Sequence, residues 1–112
     1  MHQEFKTYRA TPGNIGALIE RFHVVVMPIF ARLGIEVLQC WTSADEPDAF
    51  FYTVSFASAE AGKTAWAAFG ADAEWKAAKA ASETNGPLLG SQSTIYLQTL
   101  DFSPIKSLNP AR

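Results

Sequence analysis

Hydrophobic spacing in this chain switches between two periods in a fixed order, and that order restricts the fold more than any other feature. Glu4 to Arg9 alternates with a period of two, with Phe5 and Thr7 on one side and Lys6 and Tyr8 on the other. Thr11-Pro12-Gly13-Asn14 reads as a turn. Apolar residues then fall at Ile15, Leu18, Ile19, Phe22, Val26, Ile29 and Leu33, one helical stripe that Gly34 closes as a left-handed cap. Pro28 lies inside this helix, where it removes a backbone donor, and the Val24-Val25-Val26 run lowers helix propensity. A kink is expected there, with packing rather than intrinsic preference holding the helix together.

Period two returns at Ile35–Ser43 and Ala49–Ala57, which the polar Ala44–Asp48 connection joins as a hairpin. Ser58 N-caps a helix that carries Trp66 and Phe69 on one face. Around those rings Ala61, Gly62, Ala65 and Ala68 are small, so the helix backbone is expected to lie close to what the rings cover. Gly70 weakens this helix, a break is expected at Gly70-Ala71-Asp72, and Asp72 can N-cap another helix with Glu74 and Trp75 in its first turn. That second helix runs to Thr84 and ends at Asn85-Gly86-Pro87, a left-handed cap and a breaker. Ser91–Leu100 is the last strand.

The order strand, helix, strand, strand, helix, strand is the α+β, ferredoxin-like βαββαβ pattern: a four-stranded antiparallel sheet with helices on one face. A chain of 112 residues, 48% of them apolar, fits one such domain over 1–112. Residues from about 101 to 112 read as a tail, loosely ordered unless docked.

Charge and cysteine usage exclude several classes. A net charge of −2 gives no electrostatic case for nucleic acid, and no polybasic cluster suggests a membrane surface. The first residues lack a signal peptide's apolar core, and no apolar run of about 18 residues could span a bilayer. A cytoplasmic protein is the expectation. The lone Cys40 can form no internal disulfide and is expected to be a buried, inert thiol. Neither a metal nor another cofactor is expected.

Strand faces predict a partner. Phe50, Tyr52, Val54 and Phe56 line one face of the third strand, and the alternation assigns Ile35, Val37, Gln39, Trp41, Ile95 and Leu97 to that helix-covered side. The opposite side would then carry Tyr8, Leu38, Cys40, Phe51, Tyr96 and Leu100. That is too apolar for an antiparallel sheet open to water, so a homodimer joined through sheet faces is expected.

Four segments carry a resemblance to a known family. Glu4-Phe5-Lys6-Thr7-Tyr8 with Pro12-Gly13 is similar to the opening Glu-x-Arg-x-Tyr strand and Pro-Gly turn of the NIPSNAP family. Gly34 with Trp41 resembles that family's second-strand pattern. Phe56-Ala57-Ser58, Ala65-Trp66 and Asp72-Ala73-Glu74-Trp75 resemble its aromatic-Ser helix and Asp-Pro-Glu-Trp turn, and Leu97-Gln98 with Phe102-Ser103-Pro104 its ending. Lys6 replaces the usual Arg, Ala73 the usual Pro, and Tyr52 stands where many members carry His. The resemblance implies the dimeric α/β-barrel group, which also holds small monooxygenases, muconolactone isomerase and haem-degrading enzymes. It implies a fold and a dimer more firmly than an activity.

Few residues offer chemistry. His23, at the edge of the first helix's stripe, could act as acid, base or axial haem ligand, or be a plain boundary residue. Tyr52, on the most apolar strand face, could orient a carbonyl or stabilise an enolate, or bond a core backbone group. Trp41, Trp66 and Trp75 could line a flat apolar pocket, or be ordinary core. Glu83, Thr84 and Asn85 form a polar loop cluster that capping also explains. There is no Gly-rich phosphate loop, Gly-x-Ser-x-Gly elbow or His-Glu-x-x-His motif. Two functions stay open. One is a cofactor-independent monooxygenase or isomerase acting on a small apolar or aromatic molecule, with His23 or Tyr52 assisting. The other is a non-catalytic dimeric module that binds such a ligand or another protein.

Overall fold

The computed structural model describes residues 1–108. Strands β1 (His2–Ala10), β2 (Glu36–Thr42), β3 (Ala49–Phe56) and β4 (Leu89–Gln98) form one sheet in the order β2-β3-β1-β4, and every neighbouring pair is antiparallel. Helices α1 (Ile15–Arg21), α2 (Met27–Arg32), α3 (Ala59–Ala71) and α4 (Ala73–Ser82) supply the second layer. The fold is α+β and ferredoxin-like. Phe22, Val26, Phe30 and Ile35 bury against Phe50, Tyr52, Val54 and Phe56, and this cluster is the main core.

The long apolar stripe forms one helical run with a widened turn in its middle. Phe22–Val26 is a π-turn between α1 and α2, and Met27 N–H donates to the carbonyl of Phe22, five residues back. Pro28 sits in the first turn of α2. It has no proton for the turn before it, and its ring would strike the carbonyl of Val24 in a regular helix. The wider turn accommodates that defect where a kink was expected. Phe22 and Val26 both stay buried, so the apolar stripe survives the change.

The break between α3 and α4 falls at Asp72, the last residue of the expected Gly70–Asp72 stretch, and Gly70 itself remains helical. Asp72 is extended (φ −65°, ψ 126°), and its carboxylate accepts from Trp75 N–H at 2.9 Å. A competent cap therefore decides the site of the break, while one glycine only lowers helix propensity. Ser58 caps α3 through Ala61 N–H at 3.1 Å. Gly34 closes α2 with φ +77°, and Gly86 rather than Asn85 holds the positive φ after α4.

Face assignments on three strands differ from expectation, through a bulge in β2 and because β1 and β4 turn the other of their two faces to the helices. The β2–β3 register shifts between Val37 and Gln39, so Leu38 is an extra residue. Val37 lies opposite Val54 on the helix side, but Trp41 lies opposite Phe51 on the far side. A one-residue bulge inverts every later side chain, which alternation counted through it cannot show. In β1 the residues opposite Phe50, Tyr52 and Val54 are Tyr8, Lys6 and Glu4, so its polar side faces the helices. Tyr96 accompanies Glu4 on that side. The open face instead carries Phe5, Trp41, Phe51 and Ile95, with Phe5 ring centroids 5.9 Å from Phe51 and 6.0 Å from Trp41. Cys40 is exposed, not buried.

The tail docks at one end of this open face. Lys106 carbonyl accepts from Ser55 Oγ at 2.6 Å and from Gln3 Nε2 at 3.4 Å, and Ser107 Oγ donates to the Glu36 carboxylate at 2.7 Å. Gln3, Ser55 and Glu36 lie side by side across three strands, so the tail crosses the sheet rather than adding to its edge. The expected tail extends to Arg112, and its last four residues lie outside the described part.

Candidate functional site

Between the helices and the polar side of β1 lies a cavity of about 370 Å3. Its apolar wall comes from Leu18, Phe22 and Val26 on the first helical run, Trp66 and Phe69 on α3, Trp75 on α4, and Leu89 at the start of β4. Its polar groups are Lys6, Tyr8, Arg21, Lys79 and Gln92. The break at Asp72 turns Trp75 onto Phe69, the two rings stacked with centroids 4.9 Å apart. Phe69 in turn meets Phe30 edge-on at 5.0 Å, tying the wall to the core.

Buried charge collects beside this cavity, behind Lys6 and Trp66. Glu4 is 2% exposed, and its carboxylate accepts from Trp66 Nε1 at 2.9 Å. Lys6 Nζ lies 3.2 Å from Glu4 and a His2 ring nitrogen 2.9 Å from it, so every buried carboxylate oxygen has a partner. Lys6 also donates to Thr94 Oγ1 at 2.8 Å and sits 4.4 Å from the centre of the Trp66 ring. On the helix side Arg21, at the end of α1, donates to Ser82 Oγ at 3.0 Å and Glu83 at 2.8 Å, with its guanidinium 5.0 Å from the Trp75 ring. Arg21 holds the Glu83 carboxyl below its usual range, and Lys79 adds to the effect.

Two tyrosines complete the site. Their hydroxyls lie 2.6 Å apart, and Tyr52 is fully buried with no other hydrogen-bond partner among the described residues. Tyr52 must therefore donate to Tyr8, because the reverse direction would leave its own proton buried and unpaired. Tyr8 lines the cavity, so its proton is free to point inward. Burial raises the pKa of Tyr8, and burial beside Tyr8 raises that of Tyr52 further. Both hydroxyls keep their protons at neutral pH and act as donors.

The residues singled out by sequence do not converge on one place. Trp66 and Trp75 line the cavity, and Tyr52 stands behind it and acts through Tyr8. His23 lies on the exposed side of the π-turn and does not line the cavity. Trp41 does not join the other tryptophans, because the β2 bulge sends it to the open face of the sheet. Thr84 and Asn85 do not line the cavity, and Glu83 serves it by holding Arg21. Among the described residues, no group of three or more His, Cys, Asp and Glu side chains could hold a metal ion.

Glu4, Lys6, Tyr8, Arg21 and Lys79 were missed as site residues. Two signals for them were present. Glu4, Lys6 and Tyr8 share one alternating face, and Arg21 follows Leu18 by three residues on the buried stripe. Charges at core positions usually mark a paired, functional arrangement.

A family model described as NIPSNAP matches residues 3–104. No curated protein matches the chain. An uncharacterized NIPSNAP domain protein from Burkholderia xenovorans is 19% identical, with a TM-score of 0.79 over 94% of this chain and 100% of that one. A NIPSNAP family protein of unknown function from Agrobacterium tumefaciens is 23% identical, with a TM-score of 0.76 over 93% and 92%. An antibiotic biosynthesis monooxygenase is 9% identical, with a TM-score of 0.62 over 89% and 99%. At these identities the solved structures show the fold alone.

Proposed function

Because this chain belongs to the NIPSNAP family and encloses an aromatic-walled cavity with polar groups on one side, we propose that it binds a small apolar or aromatic molecule there. The supporting observation is the cavity of about 370 Å3, a volume within the usual range for small-molecule sites. Saturable quenching of tryptophan fluorescence by small aromatic compounds tests this. Leu89→Trp, which fills the cavity from the β4 side, is expected to abolish the quenching. Unchanged titration in that variant would place the ligand elsewhere.

At the level of reaction, the reading is a cofactor-independent monooxygenase or isomerase. Its support is the set of inward donors, Lys6, Arg21 and Tyr8, which could stabilise an anion formed on the substrate. Tyr52 serves that role by orienting Tyr8, and His23 has no part in it. The second reading, a non-catalytic binding module, is favoured by the absence of any histidine or carboxylate from the described cavity wall. Incubating a bound compound in air separates them. Oxidised or isomerised product supports the enzyme, and recovery of the compound unchanged supports the module.

The protein is further proposed to act as a homodimer, covered on its open sheet face. Support comes from Phe5, Phe51, Trp41 and Ile95 standing together there, with Trp41 39% and Ile95 56% exposed. Light scattering should give twice the chain mass, and Trp41→Asp should halve it.

A further inference from the structure

Resting on the reading of the cavity as a small-molecule site, we propose that its ligand is an aromatic or apolar monoanion, whose charged oxygens are held by Arg21, Lys6 and the hydroxyl of Tyr8. The hydrogen-bond inventory of these three groups carries the proposal. Arg21 is only 7% exposed, and Nη1 gives its two protons to Ser82 and Glu83. Its Nε and Nη2 protons have no protein partner among the described residues, and neither nitrogen is sealed off, so both are open to a ligand in the cavity that Arg21 lines. Lys6 donates one of its three protons to Thr94 and pairs with Glu4 as an ion pair at 3.2 Å, which leaves it donor capacity toward the cavity. Tyr8 accepts from Tyr52, so its own proton also points to the cavity. Among the described lining side chains, acceptors are confined to Gln92 and the Tyr8 oxygen, which already accepts from Tyr52. A wall built of donors is matched by an oxyanion, and a neutral ligand would leave most of them unpaired.

Charge sets the valence of the ligand. Lys6 is paired with Glu4, while Glu83 is shared by Arg21 and Lys79 at 2.8 Å and 3.5 Å. Three cations against two carboxylates leave one positive charge beside the cavity. One anionic group neutralises it, whereas two would bring an uncompensated charge into an enclosed site. The stacked Phe69 and Trp75 rings offer a flat apolar wall to the rest of the ligand.

Three naphthalenes of matched shape test this by calorimetry: 2-naphthoate, the neutral 2-naphthamide and the dianion 2,6-naphthalenedicarboxylate. The naphthoate should bind at least about tenfold tighter than either, the scale expected for charge-assisted hydrogen bonds. Arg21→Gln should erase its advantage over the amide while leaving amide binding in place. Glu83→Gln keeps an acceptor for Arg21 but adds a positive charge to the site, so it should improve dianion binding relative to naphthoate even if Arg21→Gln fails to fold. Equal affinity of wild type for naphthoate and naphthamide overturns the monoanion and leaves the cavity reading standing. Binding of none of the three overturns both.

Discussion

Tyr52 illustrates how a buried polar atom fixes its neighbours. It is 0% exposed, and its hydroxyl meets Tyr8 at 2.6 Å. Tyr8→Phe would strand that hydroxyl without a partner, so a loss of about 1–3 kcal/mol is expected in urea unfolding. Adding Tyr52→Phe removes the stranded group, and the double variant should recover most of the loss. Full stability in Tyr8→Phe alone would show that Tyr52 has another acceptor. The need for a partner was legible in the sequence, since an apolar strand face surrounds Tyr52. The partner was not, because Tyr8 lies 44 residues away and meets it only through the β1–β3 register.

Among the elements, α3 and α4 are held by close approach and by their ends. A Cβ on Gly62 would stand 3.0 Å from Glu4 Oε2 and 3.2 Å from the Phe56 ring. Gly62→Ala should therefore displace Glu4 or Phe56 and destabilise the fold by about 1–3 kcal/mol, measured by urea unfolding. The small residues of α3 were legible as a site of close packing; that a buried carboxylate would lie beneath them was not. At the ends of α4, Asp72 and Glu83 have pKa values lowered from their ordinary 3.8 and 4.5. The Trp75 backbone N–H and then Arg32 lower Asp72, and Arg21 lowers Glu83. Both contributions are complete above the ordinary values and are lost as pH falls through the lower folded-state ones. Stability should thus decline below about pH 4.5, and the slope should shrink in Asp72→Asn combined with Glu83→Gln. Thermal melts between pH 5 and roughly pH 2 would check this, and an unchanged slope would assign acid sensitivity to other groups.

On the scale of the whole molecule, two layers leave one sheet face open, and the tail covers part of it. Ser55 is 0% exposed because Lys106 lies across it. Removing residues 101–112 should uncover Ser55 and Gln3 and lower the melting temperature. No change would mean that water replaces those bonds without loss. Phe102, Ile105 and Leu108 remain exposed on the docked tail, which enlarges the apolar surface available for a partner. No helix among the described residues is long and apolar enough to cross a membrane.

Element order, both helix caps at Ser58 and Asp72, the left-handed Gly34 and the family likeness were determined by the sequence alone. Each rests on neighbours within a few residues, and local periodicity, capping and turn chemistry act at that range. The Leu38 bulge, the partner of Tyr52 and the buried Glu4–Lys6 pair were decided by tertiary structure. Those depend on which strand lies beside which, and in what register. A one-residue register shift carried Trp41 away from the site, and the polar face of β1 brought Lys6 and Tyr8 into it. The site is made by pairings that bring distant segments together, so its charged side emerged only once the sheet was assembled.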